Sequence, residues 1–351
     1  MPCTPALLKT FKNRDTALAA PQTCAAWPPI RRVAVLAHRL RQIVAPLCAA
    51  WALSACGPPD NLPLRVGIGD FPPYELMYLA QEQGYFREAG VNVRLVEFSA
   101  QSDVNRAYQQ GKLDGLGTTL VDVLLIRERD GKDLRAVRVI DYSNGADVIL
   151  ATPAMRSVAD LRGRRIAVEA NSVSHFVLVR ALEQAGLGLA DVTAVLEREI
   201  DSIAPQAGDF DAIVTYPPYT ARLRQVANLH PLFSTQAIPG EVLDVYAFDA
   251  RAIAERPAQL RAFLQGIERA YAYLQAHRED ACRIMARREK MTPEAFCQSL
   301  TDGLTLIPPA GQDLHSPAAP MRAATATAVR VLRQTQLLSD RPEVADCLSP
   351  L

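Results

Sequence analysis

The sequence predicts an α/β protein built as two lobes. Three observations carry this prediction. From residue 64 onward, short apolar runs of strand length alternate with helical patterns. That rhythm occurs in two successive blocks, and a helical stretch follows the second. The 351 residues are 49% hydrophobic, enough apolar material for two cores rather than one. Alternating strands and helices place parallel strands side by side, with helices on both faces of each sheet.

In the first block, 64–68 (LRVGI) is an apolar strand. Residues 75–83 read as a helix, with Leu76, Leu79 and Ala80 on one face and Gly84 near its end. Residues 91–98 form the next strand. Ser102 and Asp103 are expected to cap a helix that runs to Gln110 and stops at Gly111. A brief strand at 115–118, a helix over 121–129 and strands at 134–141 and 148–151 complete the block.

The second block opens near Pro153. It reads as a short helix at 157–161, a strand at 164–170, a helix at 173–185 and strands at 192–196 and 211–215. A helix over 217–227 is expected to carry Pro217 in its first turn. Residues 242–248 (VLDVYAF) are a strand of the returning lobe. Only helices are expected beyond it, at 257–277, 279–288, 293–300 and 321–337.

The stretch before residue 64 has a different composition. Arg39 and Arg41 precede an apolar run from Ile43 to Leu53, the order of a secretory signal peptide. Leu53-Ser54-Ala55-Cys56 matches the lipobox of bacterial lipoprotein signals. Small residues there suit the peptidase, and the Cys56 thiol would carry the lipid. Gly57-Pro58-Pro59-Asp60-Asn61 is a poor helix or strand former and reads as a tether. The first 30 residues exceed an ordinary leader, so translation is expected to start near Val33 or Val35. The expected division is a leader at 1–55, a tether at 56–63, lobe one at 64–150 and 240–351, and lobe two at 151–239. Lipid anchoring at Cys56 would place the protein on the periplasmic side of the cell envelope.

The net charge of zero conceals an uneven distribution. Residues 1–55 hold seven basic side chains and one acid, leaving 31 basic and 37 acidic residues after them, a net of −6. A mildly acidic body excludes a nucleic-acid partner. No run of 18 apolar residues exists, so a spanning helix is not expected. GxSxG, HExxH and P-loop motifs are absent, and "GIGDFP" lacks the third glycine of a dinucleotide fingerprint. No catalytic residue, metal or cofactor is expected. Of the body cysteines, Cys282 and Cys297 lie on successive helices, where a disulfide and two free thiols are both open.

Several ordered segments carry a family resemblance: "YLAQEQGYF" (78–86), "GKLDG" (111–115), "DYSNGADVILA" (141–151), "VADLRGRRIAVEANSVSHF" (158–176) and "DFDAIVTYPPY" (209–219). Together they resemble the solute-binding proteins of ABC importers for nitrate, sulfonate and taurine, including the THI5-like thiamine-precursor branch. The resemblance implies a type II periplasmic-binding-protein fold, with ligand held in a cleft between the lobes. It also implies a monomer whose partners are a small-molecule solute and an ABC permease with its ATPase. Two alternatives remain: a same-fold enzyme of pyrimidine or menaquinone precursor synthesis, and a ligand-sensing lipoprotein without transport.

Ligands of open α/β sheets lie beyond the carboxyl ends of the strands, which selects the candidate residues. Gly69 to Tyr74 offers Asp70, Phe71 and Tyr74 on a loop stiffened by two prolines. Thr118 and Thr119, and Ser172 and Ser174, precede helices whose free N–H groups suit polar head groups. His175 is either a ligand-facing donor or a first-turn surface residue. Of Tyr216 and Tyr219, one is expected to face the cleft. Asp147 and Glu169 complete the set, with Tyr142 and Asn144 in the 141–147 loop. The loops hold Asp70, Asp122, Asp141, Asp147, Glu169, Glu241 and Asp244 against one nearby base, Arg222. That balance disfavours nitrate and leaves sulfonate-type anions and heterocyclic amines both open.

Overall fold

A computed structural model describes residues 62–169, 172–197, 210–226, 228–316 and 320–349. The leader, Cys56 and the tether lie outside them. Everything that follows concerns the unit from Asn61 to Leu351.

Eleven strands among the described residues form two mixed sheets. The first sheet holds β1 (Leu64–Ile68), β2 (Val93–Glu97), β3 (Gly115–Thr119) and β4 (Leu134–Ser143). The chain then leaves for the second sheet, which holds β5 (Val148–Ala151), β6 (Arg165–Glu169), β7 (Thr193–Glu197), β8 (Ala212–Thr215) and β9 (His230–Ser234). It returns through β10 (Leu243–Asp249) and ends the first sheet with β11 (Leu304–Leu306). The strand orders are β11-β4-β10-β3-β1-β2 and β7-β6-β8-β5-β9.

Parallel pairing holds for β1 with β2 and β3, and for β6 with β7 and β8. It fails at the crossovers. β10 runs antiparallel between β3 and β4, and β5 runs antiparallel between β8 and β9. A strand that arrives from the other lobe need not enter in the direction of a βαβ unit. The strands β9 and β11 were not legible. "HPLFS" contains a proline, which suits an edge strand such as β9, and "LTL" is only three residues long.

The helices are α1 (Glu75–Glu82), α2 (Tyr85–Glu88), α3 (Gln101–Gln109), α4 (Leu120–Asp130), α5 (Ser174–Gln184) and α6 (Tyr219–Val226). After β10 come α7 (Ala250–Glu255), α8 (Pro257–Ala276), α9 (Arg278–Glu289), α10 (Pro293–Ser299), α11 (Pro320–Gln334) and α12 (Pro342–Ala345). Two expectations need correction. Ala100, not Ser102, occupies the N-cap of α3 and gives no side-chain cap. Pro217 and Pro218 precede α6 rather than opening it. Helices α1, α2, α8 and α9 pack together, and α11 packs on both α4 and α5. Cys282 of α9 and Cys297 of α10 form a disulfide with Cα atoms 5.4 Å apart, while Cys347 is free and buried.

The glycines of β3 make room for neighbours that position the site. A Cβ on Gly117 would lie 3.1 Å from the ring of Tyr74, and one on Gly115 would lie 2.2 Å from the ring of Phe248 and 2.8 Å from the Ala247 carbonyl. The carbonyl belongs to a paired strand and cannot rotate away. Gly115→Ala is therefore expected to lower stability by about 1–3 kcal/mol. Urea unfolding measures this; an unchanged midpoint would show that the strands part without cost.

Candidate ligand-binding site

The two sheets meet at a cavity lined from both sides. The first sheet supplies Asp70, Phe71 and Tyr74 after β1, Gln101 at the start of α3, Thr119 at the end of β3, and Val242 and Asp244 around the start of β10. The second supplies Asp147 ahead of β5, Glu169 at the end of β6, Ser172 and Val173 before α5, and Tyr216 after β8. The cavity volume is about 30 Å³, room for about two waters.

Contacts across the cavity hold the sheets together. The Ser102 N–H donates to Glu169 Oε1 at 2.8 Å. The Tyr219 hydroxyl donates to the Ser99 carbonyl. The Phe71 and Tyr216 rings meet edge to face, with centroids 6.2 Å apart. The first of these contacts explains how α3 manages without its own cap: a carboxylate from the other sheet satisfies one of its orphan N–H groups.

The cavity is acidic. Among the described residues no lysine, arginine or histidine lines it. Asp70 is the one lining acid with a basic partner, at 3.0 Å from Arg288. Register places Asp244 of β10 beside Thr119 of β3 on one side and Asp141 of β4 on the other. The Tyr74 hydroxyl donates to Asp244 Oδ1 at 2.5 Å. Both oxygens of fully buried Asp141 lack a hydrogen-bond partner among the described residues. Burial holds both carboxyls well above the usual range, reinforced at Asp141 by the charges of Asp244 and Asp147 and at Asp244 by those of Asp147 and Asp122. Burial also pushes Asp147 up to about 6 and Asp122, behind Thr119, up to about 7. Glu169 is likewise raised by burial, against the pull of Ser102 and Tyr216.

Seven of the sequence-selected residues line the cavity: Asp70, Phe71, Tyr74, Thr119, Asp147, Glu169 and Tyr216. The other five do not. Thr118 is buried behind it and its hydroxyl lies 3.3 Å from both Asn105 Oδ1 and Asp122 Oδ2. Tyr142 is half-buried on β4 and packs against the core. The Asn144 N–H donates to the Gly303 carbonyl at 2.7 Å. The Ser174 hydroxyl is buried without a partner among the described residues. His175 is half-buried on α5, where burial and the Arg129 charge lower its pKa. A helix advances 100° per residue, so Val173 can face the cavity while the next two side chains turn away. Ser172, named with Ser174 ahead of α5, also lines the cavity, whereas Gln101, Val173, Val242 and Asp244 were not selected. Asp244 carried a signal, as an acid beside a strand of the returning lobe; the two valines carried none.

The model of the family described as NMT1/THI5 like matches residues 72–281, more than half of the chain. A protein of Escherichia coli K12 named "Putative aliphatic sulfonates-binding protein" is 35% identical over 127 residues. That stretch covers 35% of this chain and only 40% of the relative. The alkanesulfonate-binding protein SsuA from Xanthomonas axonopodis pv. citri, solved bound to MOPS, superposes with a TM-score of 0.68 at 21% identity. The superposition covers 84% of this chain and all of that one. The desulfurization enzyme DSZB superposes with a TM-score of 0.59 at 16% identity, covering 82% of this chain and 96% of its own. The chain thus has the periplasmic-binding-protein fold, which carries binders and an enzyme alike.

Proposed function

The chain belongs to the NMT1/THI5-like family, and from that premise we propose that it is an extracytoplasmic solute-binding lipoprotein of an ABC importer. It captures a small organic solute between its two sheets and delivers it to the permease. The observation that carries this reading is the cavity to which both sheets contribute side chains. A ligand held by both sides stabilises the closed arrangement and reports occupancy by shape.

Among the described residues two chain segments, 144–147 and 235–242, connect a strand of one sheet directly to a strand of the other. They lie side by side: the Gly145 N–H donates to Thr235 Oγ1 at 2.8 Å, and the Thr235 N–H donates to the Asp147 carbonyl at 3.0 Å. Adjacent crossovers form a hinge, and Gly145 and Gly240 adopt positive φ within it. The hinge divides lobe one, which holds β1–β4, β10 and β11, from lobe two, which holds β5–β9; the expected boundary at 150 moves back to the 144–147 crossover, because Val148–Ala151 pairs with β8 and β9. Cys56 carries the anchor to the membrane. The Cys282–Cys297 disulfide fits an oxidising compartment, and no helix of the described residues is long and apolar enough to cross a membrane.

Binding rather than chemistry fits the lining. Among the described lining residues there is no cysteine, lysine or histidine. The Ser172 hydroxyl donates to the Glu169 carbonyl at 3.2 Å. The test is a thermal-shift panel on the full chain holding alkanesulfonates, taurine, nitrate, aminopyrimidines, thiamine fragments and simple amines. A bound solute at a hundredfold over its Kd adds about 2.7 kcal/mol. Turnover of a bound compound, seen by mass spectrometry, would transfer the assignment to the enzyme reading.

A further inference from the structure

Resting on the solute-binding reading, we infer that the cavity takes a small organic cation, an ammonium or amidinium, whose N–H groups are received by Asp147 and Asp244 beside the rings of Phe71 and Tyr216. The argument is a count of donors and acceptors. An anion needs donors from the protein, and the side-chain donors lining this cavity are already committed to protein acceptors. Tyr74 donates to Asp244 and Tyr216 to Glu169, at 2.5 and 3.1 Å. Both uses of Gln101 Nε2 are internal, to Asn105 Oδ1 and the Gly117 carbonyl, each at 3.1 Å. Ser172 donates to the Glu169 carbonyl, and the Thr119 hydroxyl accepts from the Asp122 N–H at 3.0 Å and lies in hydrogen-bond contact with the Asp122 carboxyl.

The start of α3 would otherwise suit an anion. Its Ser102 N–H is held at 2.8 Å by Glu169 from the opposite sheet. The protein's own carboxylate thus fills the position that a sulfonate would need, and a sulfonate beside it would meet like charge. What the cavity offers a ligand is acceptors. Asp147 and Asp244 face the same space, and the Asp147 charge raises the cost of ionising Asp244. A cation removes that repulsion and adds contact with the aromatic faces. Asp70, already held by Arg288, and Glu169, already held by Ser102 and Tyr216, remain in place as its walls.

The test uses the full chain and two size-matched pairs of probes: methylguanidinium with methanesulfonate, and benzamidinium with benzenesulfonate. The expected result is a rise in melting temperature with a cationic member and none with its anionic partner, together with at least a tenfold weaker affinity for that cation in Asp147→Asn. Binding of an anionic member without its cationic partner overturns the cation assignment and leaves the solute-binding reading intact. The melting temperature of ligand-free Asp147→Asn gives a second, probe-independent result. A rise shows a carboxylate kept at a cost for a ligand. If neither pair binds and Asp147→Asn also melts lower, Asp147 is a structural acceptor and the inference fails. Binding of a neutral solute from the wider panel would then preserve the solute-binding reading alone.

Discussion

Arg288→Met is expected to destabilise the protein by about 3–5 kcal/mol, the cost of breaking a buried ion pair from one side. Arg288 of α9 is 7% exposed. Its Nε donates to Glu75 Oε1 at 2.6 Å, and its Nη1 donates to Asp70 Oδ1 at 3.0 Å. Its remaining nitrogen donates to the Gly69 carbonyl. Glu75 is fully buried, and Glu289 beside it is 1% exposed. Burial works against the guanidinium's charge, yet Glu75, Glu289 and Asp70 together raise its pKa above the usual arginine range. Removing it leaves three acids close together in low dielectric, of which Glu289 keeps a nearby charge in Arg222. Arg288 also fixes the Gly69–Asp70 turn that aims Phe71 and Tyr74 at the cavity, so any ligand affinity should fall as well. Chemical unfolding of Arg288→Met and Arg288→Lys tests this. Lysine retains the charge but not the three-way fork and should recover part of the loss. A loss under about 1 kcal/mol for methionine would show that the acids simply take up protons. That escape is open to Glu75, whose carboxyl burial pushes up to about 7, so the loss should be larger at pH 8 than at pH 5.

The ligand-free protein is expected to melt at a higher temperature at pH 5 than at pH 8, by on the order of 8 °C. The sign follows from the buried acids. A carboxyl with a folded pKa above its unfolded value is protonated in the folded state while the unfolded chain has already released its proton. Its stabilisation is complete below pH 4 and is lost as pH rises through the folded value. Asp122 moves from 3.8 to about 7 and Asp147 from 3.8 to about 6. At about 1.4 kcal/mol for each tenfold displacement, the two lose on the order of 4 kcal/mol between pH 5 and pH 8. Asp141 and Asp244 are raised in the same direction. Acids paired with arginine act oppositely below pH 4: although burial works against it, Asp114 is held low by Arg65 and Arg256. The optimum should therefore fall near pH 5. Melting curves of the native chain and of Asp122→Asn settle the point, since the substitution should flatten the slope. A curve that stays level or rises toward pH 8 would mean that these carboxyls ionise without penalty.

The family resemblance was legible because its residues sit in local segments: a strand, its following loop and the first turns of a helix. Asp70, Phe71, Tyr74, Thr119, Asp147, Glu169 and Tyr216 all reach the cavity from such loops. Ser174 and His175 were chosen by the same logic and turn elsewhere, because loop membership fixes a backbone position and not a side-chain direction. The pairing of Cys282 with Cys297 was open in the sequence and required two helices to pack before the thiols could meet.

By itself the sequence determined the α/β rhythm, the placement of small and polar residues at strand ends, and the acidic excess of the loops. These follow from period, composition and turn chemistry within a few residues of one another. Only the tertiary structure decided that β10 enters antiparallel between β3 and β4, setting Asp244 against Asp141. It alone brought Glu169 to the start of α3 across 67 positions of chain. Both contacts join segments far apart in sequence, whose meeting depends on which sheet edge each strand completes. No local pattern encodes that choice, and it is what turns a scatter of acids into one cavity that presents acceptors to a ligand.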